Sequence, residues 1–161
     1  MSRFKILAFV ALITLAFGVA LVGDVMAGEK VKVARRNANH ITTFQSVKVG
    51  DVEGHNLQLF EAKGITFNEK WGVGLVTVTG TMEDMNGEWT GGGHDYFTFP
   101  DGSTYTDKWE GKGGASGGNG TLTIIKGTGK LAGIQGRGTW KSYNVGPGQF
   151  YSDEEGEYTL P

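Results

Sequence analysis

No cysteine occurs anywhere in the 161 residues. That excludes a disulfide framework, a lipid carried on an N-terminal cysteine, thiol catalysis and thiolate metal sites. Proline is scarce at three residues, and the three histidines, His40, His55 and His94, stand apart without the spacing that fixes zinc. No metal and no cofactor are therefore expected. Charge of one sign is also missing: 15 basic residues face 17 acidic ones, so there is no electrostatic footprint for nucleic acid. Ser116 in "GGASGG" lacks the strand-to-helix setting of a nucleophile elbow, and nucleophilic hydrolysis is not expected. Beyond position 27 no window carries an apolar stripe at helical spacing for more than about two turns.

The long hydrophobic run that does exist, Ile6 to Val22, follows Arg3 and Lys5 and precedes "VMA" at Val25 to Ala27. A basic start, an apolar run and a small-residue site predict a secretory signal peptide over residues 1–27. Cleavage after Ala27 would export the remaining residues 28–161, to the periplasm or beyond, with no membrane contact afterwards. An uncleaved anchor helix is the alternative, because the run lies at the short edge of a membrane span. The 134 residues that follow suffice for one domain with a single core.

What is abundant is glycine, 28 residues in all. At this density it weakens helices and punctuates turns and bent strands. Period-two alternation predicts strands at Thr42 to Val49, Asn56 to Phe67, Val73 to Met82, His94 to Phe99, Ser103 to Glu110, Gly120 to Lys126, Gly138 to Val145 and Gln149 to Leu160. Eight strands with short connections predict an all-β fold, a single antiparallel eight-stranded barrel of calycin type. Closure removes the open edges, and glycines within strands, such as Gly64, Gly74 and Gly80, suit the coiling it needs. "GKGGASGGNG", Gly111 to Gly120, reads as a long loop, and the acidic stretches "EDMNGE" and "SDEEGE" read as solvated turns.

The stretch "GTGKLAGIQGRGTW", Gly127 to Trp140, fits a relaxed dinucleotide fingerprint. That chemistry needs a helix to begin at the loop, whereas Gly133, Gly136 and Gly138 would each weaken one. It is expected to be a turn between antiparallel strands instead. Extended to "GTGKLAGIQGRGTWKSY", it resembles the glycine-rich signature of the allene oxide cyclase and dirigent barrel superfamily, and more closely that of small exported bacterial proteins with an allene oxide cyclase barrel-like domain. "VGDVEGHNLQLFEAKG", Val49 to Gly64, and "GQFYSDEEGEYTL", Gly148 to Leu160, extend the resemblance over most of the chain beyond position 27. It implies an eight-stranded barrel with a hydrophobic cavity. Plant members cyclise an unstable epoxide or steer radical coupling without a cofactor, but none of their catalytic residues can be matched to positions here.

Candidate chemistry comes from two strands. If Pro100, Asp101 and Gly102 form a three-residue loop, Phe97 opposes Tyr105 and Asp95 opposes Asp107, on the face shared with Trp109. Two carboxyls directly across a strand pair must share a proton, bind a cation or sit in water. On an inward face the first option gives a raised pKa and a general acid; at the rim both are simply solvated. In "NLQLFEAKGITF", Leu57, Leu59, Ile65 and Phe67 alternate on one face with Glu61 and Lys63. Inward, these would put a polar spot in an apolar cavity; a bulge at Gly64 would turn them out.

Three functions remain open. The first is an exported barrel holding a small apolar molecule against Leu59, Phe97, Tyr105 and Trp109. The second is a cofactor-free cyclase or isomerase with its acid among Glu61, Asp95 and Asp107, and the third a structural barrel with a packed interior. The partner expected is a small apolar molecule, not nucleic acid, and homo-oligomers are left open.

Overall fold

A computed structural model describes residues 28–160; the leader expected over residues 1–27 lies outside them. The strands are β1 (Lys30–Lys48), β2 (His55–Asn68), β3 (Gly72–Met85), β4 (Glu88–Thr98), β5 (Thr104–Gly114), β6 (Gly117–Thr128), β7 (Gln135–Gly146) and β8 (Gln149–Thr159). Each pairs antiparallel with the next, and β8 returns to pair with β1, closing the barrel.

Local turn chemistry sets the register. Asn86 and Gly87, with φ of 57° and 89°, join β3 to β4 in the left-handed geometry that matches strand twist. At the β4–β5 corner Gly102 has φ 81°, and the Phe99 amide donates to the Ser103 carbonyl at 3.0 Å. That three-residue loop places Phe97 opposite Tyr105 and Asp95 opposite Asp107, as the sequence predicts. Gly127 to Trp140 is likewise a strand, turn, strand segment. Its turn contains one turn of 3-10 helix, Gly129–Leu131, and Leu131 and Ile134 are buried there against the core.

Several expectations are corrected. β1 begins at Lys30 rather than Thr42, and β4 at Glu88 rather than His94. "GKGGASGGNG" is the β5–β6 hairpin, with strand pairing up to Gly114 and Gly117, not a long loop. Its glycines are there for space: a Cβ on Gly113 or on Gly118 would lie 2.6 Å from the Trp89 ring. "SDEEGE" lies within β8, where alternation buries Ser152 and Glu154 and leaves Asp153 and Glu155 on the other face.

Candidate functional site

The two ends of the barrel are filled differently. At the end carrying the 3-10 turn, aromatic rings pack the interior: Trp71 stacks on Tyr158 with centroids 6.0 Å apart and meets Phe99 and Tyr105 edge-on. Towards the end carrying the Asn86–Gly87 turn and the Ala115–Ser116 turn, a cavity of about 350 Å³ remains. Its walls are largely apolar, from Ile41, Phe60, Val78, Met82, Trp89 and Trp140, with Trp109 further in. Trp89 and Trp140 lie parallel at 6.4 Å.

Between the packed end and the cavity sits a buried charge cluster. On β1 the inward positions run Val31, Val33, Arg35, Asn37, Asn39, so the alternation that begins apolar continues polar. The Arg35 guanidinium lies over the Phe97 ring at 4.2 Å. Its Nη2 donates to Asp107 Oδ2 at 2.5 Å and contacts Glu154; its Nη1 donates to the Tyr105 hydroxyl and, at 3.3 Å, to that of Tyr158. Asn37 Nδ2 donates to Glu154 and to Ser152 Oγ. These contacts offset part of the large cost of burying an ion, because the charges are paired and hydrogen-bonded.

Asp95 faces Asp107 across the strand pair but has no bond to Arg35, and its Oδ1 is buried without a partner. Burial, then the Asp107 and Glu154 charges, hold its pKa well above the usual carboxylate range, and Arg35 offsets this only in part. Burial also raises Asp107 and Glu154, with Arg35 pulling both back. One guanidinium cannot balance three carboxylates, so Asp95, the member Arg35 does not touch, is the one burial and its neighbours most strongly favour in the protonated form. Burial raises the Tyr158 hydroxyl to about 12, so it stays a neutral hydrogen-bonding group. Oxygens of Asp95, Asp107 and Glu154 lie within 4.8 Å of one another and are the described residues that could hold a cation. Arg35 already supplies positive charge there.

Of the residues expected at the site, Asp95 and Trp109 line the cavity. Asp107 is fully buried beneath it, held by Arg35. Phe97 and Tyr105 are also fully buried, stacked at 4.5 Å in the layer under Arg35, and so form core rather than cavity wall. Leu59 and Glu61 are corrected outright. Phe60 and Ala62 take the inward phase of β2, which puts Leu59 and Glu61 on the outer surface with no bulge needed in β2 itself. There Glu61 pairs with Lys63 at 3.4 Å and accepts from Thr42 Oγ1 at 3.0 Å.

Sequence reasoning missed Arg35, Asn37, Asn39 and Glu154. The available signal was Val31 and Val33, whose phase carried forward reaches Arg35; polar residues on both faces from Arg35 onward hid it.

Fold and cavity together define a closed up-and-down barrel with a small-molecule-sized interior site. No family model matches the chain, and no curated protein matches it. Among solved structures the barrel is similar to that of a pterocarpan synthase dirigent protein, with a TM-score of 0.52 and 11% identity over 87% of this chain and 94% of that one. At that identity the likeness establishes the fold alone, an eight-stranded barrel like that of the dirigent protein.

Proposed function

We propose that the protein binds one small, mostly apolar molecule in the open end of its barrel, held by tryptophan walls and oriented by a few buried polar groups. The observation that carries this is the pairing of an apolar cavity of about 350 Å³ with unpartnered polar atoms on its lining: the Asn39 amide, Asp95 Oδ1 and Trp109 Nε1. A cavity of that size suits a small organic ligand, and buried polar atoms without partners are costly unless something pairs with them. With Asp95 protonated, the groups around the cavity can donate from a carboxyl, an indole and an amide, which fits a ligand bearing a carbonyl, ether or hydroxyl oxygen. The leader pattern supports action outside the inner membrane, and the sequence signature supports kinship with exported bacterial barrels of this type.

A second reading is favoured by the Asp95 proton itself. A cofactor-free isomerase would use it as general acid: the proton passes to a ligand oxygen as a C–O bond opens, and the resulting carboxylate takes a proton back from carbon. Atoms and charge balance without any co-reactant.

Both readings require saturable binding. Titrating the purified protein with an environment-sensitive apolar naphthalene dye should give one-site binding, and Trp140→Ala should weaken it about tenfold, a loss of about 1.4 kcal/mol. Tyr143→Ala, on the outer face of β7, should leave it unchanged. Dye fluorescence that never saturates, or that is indifferent to Trp140, would overturn the cavity reading.

A further inference from the structure

The outward positions of β2 read Leu57, Leu59, Glu61, Lys63, Ile65, Phe67. The four apolar members are 53%, 47%, 44% and 52% exposed. On β3, Val73 and Leu75, opposite Phe67 and Ile65, extend the apolar surface and are exposed as well. β2 is paired on both edges along its length, by β1 and by β3, so this strand makes any contact through its face.

The pattern on β2 is self-complementary. Reversed about Ala62, it maps apolar on apolar and acid on base. A two-fold axis lying between two such faces, perpendicular to the strands and passing over Ala62, sets Leu57 against the partner's Phe67 and Leu59 against the partner's Ile65. Glu61 then meets the partner's Lys63, and the reciprocal contacts follow by symmetry. An axis parallel to the strands would instead oppose Glu61 to the partner's Glu61 and Lys63 to the partner's Lys63. Charge therefore selects the antiparallel arrangement.

We propose that two copies of this chain form an isologous dimer by packing the outer faces of β2 and β3 together, with the two-fold axis over Ala62. Aligned sheets about 10 Å apart leave room for these side chains to interleave. Around Val78, which pairs with Ala62, Thr77 and Thr79 exchange under the same axis, while Leu75 meets the partner's Thr81 and Val73 meets the partner's Glu83 at the rim of the contact. The apolar pairs supply the buried area, while the ion pairs set register and exclude the wrong orientation.

Sedimentation velocity on the purified protein should give twice the chain mass at micromolar concentration. Glu61→Lys and Lys63→Glu should each raise the dissociation constant at least about a hundredfold, because each turns two contacts per dimer from attractive to repulsive. Mixing those two monomeric variants should restore a dimer, since both contacts become attractive again, and this recovery also shows that each variant is folded. The double exchange should dimerise like the original. In the original background, Leu59→Cys with Ile65→Cys should be joined between copies by a short bismaleimide, and the chain has no other cysteine to interfere. A monomer, a cyclic assembly of three or more, single reversals without effect, no pairing on mixing, or no cross-link in a dimer would each overturn the proposal.

Discussion

Replacing Asp95 by asparagine removes a titratable proton while keeping the side chain's shape. In the folded protein the carboxyl is buried beside Asp107 and Glu154, and its pKa is raised well above the ordinary value of 3.8. The native state therefore holds a proton that the unfolded chain has released at any pH between the unfolded and folded values. The stability this contributes is fully present below about pH 4 and is lost as pH rises towards and through the folded pKa. Within that window one proton is worth about 1.4 kcal/mol per pH unit. Asp95→Asn should match the wild type near pH 4 and become progressively more stable than it as pH rises, the gap levelling off once Asp95 ionises in the folded state. Denaturant unfolding of both proteins at half-unit steps from pH 4 to 8 measures the gap directly. Surface carboxylates such as Asp51 and Asp153 cancel in the difference, because both proteins carry them. Parallel stability curves over the whole range would show that Asp95 takes up no proton on folding, and the acid assigned to the cavity would be lost.

Arg35→Met should destabilise the fold by about 3–5 kcal/mol at neutral pH, because Asp107 and Glu154 lose their buried counter-charge. Part of the loss should return in acid as the carboxyls take up protons, and a melting temperature equal to the wild type at pH 7 would contradict the role given to the guanidinium. At Gly80 a Cβ would lie 2.2 Å from the Trp109 ring, so Gly80→Ala should cost about 1–3 kcal/mol by overpacking. The same change in a Trp109→Leu background should cost clearly less, and additive losses measured by chemical unfolding would refute the contact.

Much of the fold was legible because its determinants are local. Alternation over a few residues marked segments of all eight strands, and a glycine able to adopt positive φ at position 102 fixed the corner that sets Asp95 opposite Asp107. Backbone sterics and turn geometry act over a handful of residues, so the chain carries that information in short words. Which face of a strand points inward is not local. β2 presents its more regular apolar face, Leu57, Leu59, Ile65 and Phe67, to the outside, and β1 turns Arg35, Asn37 and Asn39 inside. Both inversions reverse the ordinary rule that apolar side chains face the core, and neither can be read from the strand concerned. Arg35 is acceptable in the interior because Tyr105, Asp107 and Glu154, 70 and more residues away, converge on it once the barrel closes. A charge can stay buried only where partners meet it, and only the closed barrel brings them together.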